Sequence, residues 1–213
     1  MGIVASYPLW NVLDVPLPEI KKDSVIIFPT ETVYGIGAFI SNEAGIERIF
    51  EVKKRENKPL SLHLAGACGI EKYVESISVP AERALSLYAP GPLMMIFKLK
   101  KGIIFPERAT ANGNVGVRVF SNFISASIIN AFGEPLLATS ANISGGPSPK
   151  NFFDIPEELV DECDIAIDNG PTMYQKDSTI VDFSGDVPVM LREGAITFEE
   201  LADVLATSIR RAN

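Results

Sequence analysis

Short apolar runs and amphipathic stretches alternate along the chain, with turn residues between them. Residues 24–28 (SVIIF), 59–66 (PLSLHLAG), 92–100 (PLMMIFKLK), 114–120 (NVGVRVF) and 135–142 (PLLATSAN) read as strands, as do 163–168 (CDIAID), 178–184 (STIVDFS) and 188–193 (PVMLRE). Residues 42–55 (NEAGIERIFEVKKR) place Ile46, Ile49, Phe50 and Lys53 at i, i+3, i+4 and i+7, which predicts a helix with Asn42 as its N-cap. A second helix is predicted over 79–91, starting near Pro80 and stopped by Pro90-Gly91. Further helices are expected at 122–133, 156–162 and 197–211, the last with Phe198, Leu201, Ala202, Leu205 and Ile209 as one apolar stripe. Alternating elements predict an α/β fold, and the strands crowded near the end predict hairpins, hence a mixed sheet.

Alternation within the strands also sorts polar residues. In NVGVRVF, Val115, Val117 and Val119 share one face while Asn114, Gly116 and Arg118 share the other. In PLSLHL, Leu60, Leu62 and Leu64 oppose Ser61 and His63; in the later DSTIVDF, Ser178, Ile180 and Asp182 fall together. Each strand alone fits a half-exposed strand, and together they fit one polar cavity across one sheet. Lys53 continues the buried stripe of its helix. It is either a snorkelling lysine at a helix end or, with Arg55 and Lys58, part of a cationic group suited to a polyphosphate.

Residues 28–38 (FPTETVYGIGA) leave a buried strand through Pro29, which suits a strand end. Two hydroxyls, a carboxylate and a phenol follow, and the chain is then expected to turn through Tyr34-Gly35-Ile36-Gly37, the glycines permitting unusual angles or close approach. Residues 139–149 (TSANISGGPSP) offer small hydroxyls and glycines of the kind that present donors to phosphate oxygens, although neither Walker A nor GxGxxG spacing is present. Arg192 stands at a strand end before a glycine turn.

Bulk properties narrow the classes. The 213 residues are 46% hydrophobic and 22% charged, enough for a sizeable core. A net charge of -8 opposes a protein whose main task is gripping nucleic-acid phosphates. One histidine and two distant cysteines, Cys68 and Cys163, form no metal-ligating cluster and are expected to be a reduced pair. With no membrane-length apolar run and no basic-then-apolar leader, a cytoplasmic location is expected.

These motifs, in this order, resemble the YrdC-like family, the threonylcarbamoyl-AMP synthases that act in tRNA threonylcarbamoyladenosine formation. The resemblance runs from about Val25 to Ile196 and rests on PTETVYGIGA, KKRENKPLSLH, APGPLMMIF, VGVRV, TSANISGGPSP, DNGP, DSTIVD and LREGAI. It implies a single domain over residues 1–213, in the family's short form, whose twisted, mixed parallel and antiparallel open sheet and flanking helices surround a large polar cavity. It implies an enzyme joining L-threonine, bicarbonate and ATP into threonylcarbamoyl-adenylate, releasing pyrophosphate. Thr32, Tyr34, His63, Arg118, the backbone at Ala138, and Ser178 would contact threonine. Arg55, Lys58, Asn114, Ser140, Asn142, Ser148 and Arg192 would contact ATP, and Lys53 and Arg55 would be catalytic. Mg²⁺ would accompany ATP, with no tightly bound protein-ligated metal. The implied partner is the transferase that modifies tRNA, with direct tRNA contact weak or transient and no membrane. The chain departs from the family pattern at Glu56, a usual proline, and in having three residues rather than four between Arg55 and Pro59; Asn114, Met94 and Lys150 replace common threonines, and Ala89 a common aromatic. The alternatives are an RNA-binding module around Lys53, Lys54, Arg55 and Lys58, a related carbamoyl chemistry, and a nucleotide-binding regulator without catalysis.

Overall fold

A computed structural model describes residues 3–6, 20–55 and 58–212. The strands are β1 (Ile3–Ser6), β2 (Val25–Phe28), β3 (Gly35–Phe39), β4 (Ser61–Leu64), β5 (Leu93–Lys98), β6 (Asn114–Val119), β7 (Leu136–Ser140), β8 (Ile165–Asp168), β9 (Thr179–Asp182), β10 (Val189–Arg192) and β11 (Arg210–Arg211). The helices are α1 (Glu43–Val52), α2 (Val79–Tyr88), α3 (Phe123–Phe132), α4 (Glu157–Glu162) and α5 (Phe198–Leu205). The strands form one open sheet in the order β1-β8-β2-β3-β7-β4-β6-β5-β9-β10-β11. Parallel neighbours such as β4–β6 and β5–β9 alternate with antiparallel ones such as β3–β7 and β5–β6, so the sheet is mixed. No described helix is long and apolar enough to cross a membrane.

The period-2 pattern sends alternate side chains to two cores. Val25, Ile27, Ile36, Leu62, Val117 and Val181 face a cluster that also holds Ile46 and Ile49 of α1, Ala81 and Ala84 of α2, Leu159 of α4 and Leu201 of α5. The opposite face carries Ile26, Phe28, Phe39, Leu136, Ala138, Ile165 and Ile167 against Ile124, Ile128 and Ile129 of α3. Among the described residues α3 is the one helix of this second core, and one helix cannot cover so wide a face, which leaves room for a cavity.

Most helix ends follow local chemistry. The Asn42 side chain accepts from the Gly45 N–H at the start of α1, and Asn122 accepts from Ile124 and Ser125 at the start of α3. Two expectations need correction. The chain does not turn through Tyr34-Gly35-Ile36-Gly37: Gly35 and Gly37 lie inside β3 because the Phe28 ring lies over them. A Cβ on Gly35 would stand 2.8 Å from Phe28 Cε2, and one on Gly37 would stand 2.8 Å from Ala138 Cβ. The last helix stops at Leu205, where Ala206 takes a left-handed conformation (φ 50°), and Ile209 packs from the segment leading into β11. An extra strand pairing with β10 outweighs the residual helical stripe.

Candidate functional site

Arg118 and His63 are register partners on the parallel pair β4–β6, and Ser61 is paired with Ala138 across β4–β7. Their side chains rise on the α3 face beyond the edge of α3's apolar cluster. Phe28 meets Phe120 edge-on at 5.5 Å, and Phe120 stacks on the His63 ring at 4.5 Å. Apolar core therefore gives way to polar site within one aromatic row. Farther along the same face, Gly116, Met94, Ile96, Ile180 and Asp182 are only half-buried, forming an open floor.

Arg118 anchors one end. Its Nη2 donates to Glu31 Oε1 (2.5 Å) and Thr32 Oγ1 (2.7 Å), and its Nε to the Gly91 carbonyl (3.4 Å). Glu31 and Arg118 side chains are 3% and 5% exposed, and Glu31 Oε2 accepts from the Ser121 and Asn122 N–H groups where α3 begins. The carboxylate thus fixes the arginine and a helix start together. With Nη2 committed, Arg118 offers a ligand its Nη1 edge rather than a free two-armed fork. Thr30 Oγ1 accepts from the Thr32 and Val33 N–H groups and holds this loop. Burial, and then the Arg118 cation, hold the His63 imidazole well below its ordinary pKa, so it is neutral.

Arg192 and Ser178 join this end from β10 and the start of β9. Arg192 Nε donates to the Ser178 carbonyl (2.9 Å) and Nη2 to Ser178 Oγ (3.0 Å). Asp177 links Arg192 to Ser148, which donates to Asp177 Oδ1 at 2.8 Å. Burial lowers the Arg192 pKa, with Asp177 opposing and Arg118 adding to the effect. Gly194 permits the closure: a Cβ there would lie 2.2 Å from the Asp177 carbonyl oxygen.

Lys53 anchors the other end. It is 1% exposed, and its ammonium donates to the carbonyls of Ser140 and Asn142 where β7 opens into the glycine loop. Burial, and then Arg55, lower its pKa to about 7. Ser140 Oγ donates to Asn142 Oδ1 (2.5 Å), and Asn142 Nδ2 donates to the Ile143 and Gly146 carbonyls, shaping the loop. Arg55 folds onto its own loop, donating to the carbonyls of Lys58 (2.5 Å) and Pro59 (2.7 Å) and to Thr139 Oγ1 (3.2 Å). Burial holds its guanidinium below the ordinary value.

Most residues singled out from the sequence fall into these two groups. Thr32, His63, Arg118, Ala138, Ser178 and Arg192 make the first, to which Ser148 is tied through Asp177. Lys53, Arg55, Ser140 and Asn142 make the second. Asn114 stands at the start of β6, donating to Ser184 Oγ at 3.3 Å. Two stand apart. Tyr34 is a fully buried member of the opposite core, and its hydroxyl donates to the Gly170 carbonyl and accepts from the Asn169 N–H; burial raises its pKa. It clamps the 169–170 turn. Lys58 is exposed beside residues 56–57, so the departure at Glu56 lies outside the described residues. Sequence reasoning placed Ser61 on the polar cavity face without giving it a role, and missed Glu31 and Asp177 as parts of the site. Glu31 was visible as a carboxylate at a strand end, but its partner lies 87 residues away.

A cavity of about 600 Å³ lies elsewhere, between α1 and the 106–110 turn, lined by Phe50, Lys58, Glu107 and Arg108 among others. Arg108 is already paired there with Glu47 at 2.9 Å.

Known proteins carry the same pattern. The family model Sua5_yciO_yrdC, described as "Telomere recombination", matches residues 19–194. A threonylcarbamoyl-AMP synthase of Pyrococcus abyssi is 35% identical over 188 residues, 87% of this chain and 55% of that protein. A putative threonylcarbamoyl-AMP synthase of Methanocaldococcus jannaschii is 37% identical over 195 residues, 90% of each. This chain thus spans about half the length of the first relative and nearly all of the second. The crystal structure of P. abyssi Sua5 complexed with L-threonine superposes with a TM-score of 0.86 at 29% identity, covering 99% of this chain and 63% of that one. With the mixed sheet and the ordered motifs in agreement, the chain belongs to the Sua5/YciO/YrdC family.

Proposed function

We propose that this protein is a threonylcarbamoyl-AMP synthase, forming L-threonylcarbamoyl-adenylate and pyrophosphate from L-threonine, bicarbonate and ATP. The observation that carries the reading is the open floor with a cationic group at each end: Arg118 with neutral His63 at one, Lys53 with Arg55 at the other. The P. abyssi relative, named for this activity and crystallised with L-threonine, supports the assignment.

Threonine would lie at the first end, its carboxylate on Arg118 Nη1 and its polar groups against Thr32, His63 and Ser178. Its amine adds to carbon dioxide derived from bicarbonate, forming a carbamate and releasing a proton. A carbamate oxygen then attacks the α-phosphorus of ATP and pyrophosphate leaves with the bond electrons. No side-chain nucleophile is required, so rate enhancement comes from positioning and charge stabilisation. Arg55 swings from its own loop to the phosphates, and Arg192 neutralises charge between the two substrates. Lys53 holds the Ser140–Asn142 backbone in the phosphate-facing shape. Magnesium enters with ATP as part of the nucleotide substrate. The product passes to a transferase that modifies tRNA in the cytoplasm, and the net charge of -8 makes direct tRNA contact weak.

The test is product analysis with ¹³C-bicarbonate. Isotope appearing in a threonylcarbamoyl-adenylate supports the reading. ATP binding with no labelled adenylate under any substrate combination leaves a nucleotide-binding regulator instead.

A further inference from the structure

One enclosed polar atom in the site has no partner: among the described residues nothing hydrogen-bonds to His63 Nδ1. The ring itself is held. It stacks on Phe120, and Nε2 lies 2.9 Å from Ser61 Oγ. The Ser61 hydroxyl has a single proton, and Oγ lies 3.1 Å from the Ala138 carbonyl oxygen, which can only accept. Spent on the carbonyl, that proton leaves Oγ as the acceptor toward Nε2, so the imidazole N–H points at Ser61. In a neutral ring the other nitrogen is then bare.

We propose that Ser61 is a positioning residue that locks His63 as its Nε2–H tautomer, so that Nδ1 presents a lone pair to a donor group of the bound amino acid, its hydroxyl or its amine. This rests on the threonine reading above. It makes the first end of the site a polarity filter, with donors at Arg118 Nη1 and an acceptor at His63 Nδ1. A buried acceptor left unmet penalises any ligand lacking the matching donor.

The chain has one histidine, so ¹⁵N-labelled imidazole reports on a single ring. In the free wild-type protein the Nε2 resonance is expected in the protonated range and Nδ1 in the unprotonated range. L-Threonine should move Nδ1 toward the protonated range and leave Nε2 in place. L-2-Aminobutyrate, which lacks the hydroxyl, separates the donors: a retained Nδ1 shift assigns the amine, and a lost one assigns the hydroxyl. Ser61→Ala should mix the tautomers and raise the KM for threonine about tenfold while the KM for ATP stays within about twofold; Ser61→Thr should restore both. An Nδ1–H tautomer in the wild type, an unmixed spectrum in Ser61→Ala, or an Nδ1 resonance unmoved at saturating threonine would overturn the proposal. Calorimetry showing no threonine binding by the wild type would instead remove the functional reading and the substrate clause, while the free-protein spectrum still decides the tautomer.

Discussion

The α3 face of the sheet has two halves built to opposite rules. Over β8, β2, β3 and β7 it is sealed: Phe28 lies across two glycines, Ile26, Leu136 and Ile167 are fully buried, and α3 closes the layer. Over β4, β6, β5 and β9 the same face carries Ser61, His63, Gly116, Arg118 and Asp182, and among the described residues no helix of the second core covers it. Both halves use glycine, for different ends. Gly37 admits a neighbouring backbone, since a Cβ there would come within 2.9 Å of the Leu137 carbonyl oxygen. Gly116 opens a floor, where an added Cβ would meet nothing nearer than Met94 Sδ at 3.4 Å. Packing is spent on rigidity in one half and withheld in the other, and the seam is the row Phe28, Phe120, His63.

The largest effect that would test this division is at the seam's ion pair. Arg118→Ala strands the Glu31 carboxylate in a buried position and should cost about 3–5 kcal/mol in urea unfolding. The double substitution Glu31→Gln/Arg118→Met should recover most of that loss but not threonine turnover. If Arg118→Ala left stability untouched, the arginine would belong to the substrate alone and the seam would not be structural.

Arg55→Ala addresses the open half by itself. It should lower kcat/KM for pyrophosphate release by about 10²–10³. Stability should change by less than about 1 kcal/mol, because two of Arg55's three partners are loop carbonyls near solvent and the third, Thr139 Oγ1, is held at only 3.2 Å. The glycines sharpen the contrast at lower amplitude. Gly37→Ala should destabilise by about 1–3 kcal/mol, and Gly116→Ala by no more than about 0.5 kcal/mol, both read from denaturant midpoints.

A separate test, read along pH rather than at one condition, is the response of Lys53. Its pKa falls to about 7 in the folded chain from an ordinary value near 10.5. Between those values the unfolded chain binds more protons, so stability rises with pH across that window. The penalty is complete below about pH 7 and gone above about 10.5, with a slope no steeper than about 1.4 kcal/mol per pH unit. Lys53→Met should flatten that slope in unfolding measured from pH 7 to 9. An unchanged slope would place its origin in another group.

The core opposite the site was legible in the sequence because burial writes itself as period. Val115, Val117 and Val119 alternate, and Ile46, Ile49 and Phe50 recur at helical spacing; all six are buried. The same period separated Ser61, His63, Asn114, Gly116 and Arg118 from the core and so outlined the cavity. Three things were not legible. β3 looked like a turn because Gly35 and Gly37 weaken strand propensity, and only tertiary neighbours, the Phe28 ring over both and β7 against Gly37, explain their presence. The end of α5 depended on β10 receiving β11, a tertiary pairing with no local signal. The commitment of Arg118 to Glu31 joins residues of two different motifs 87 positions apart, and nothing in either stretch specifies the pair.

The central claim is that the open half binds two substrates at once and couples them. The most direct measurement is pyrophosphate release from ATP by the purified protein, with L-threonine and bicarbonate added singly and together. Release only when both are present, and its loss in Arg55→Ala, is the predicted result. Release that proceeds equally without threonine, or none at all when ATP and threonine both bind, would contradict it.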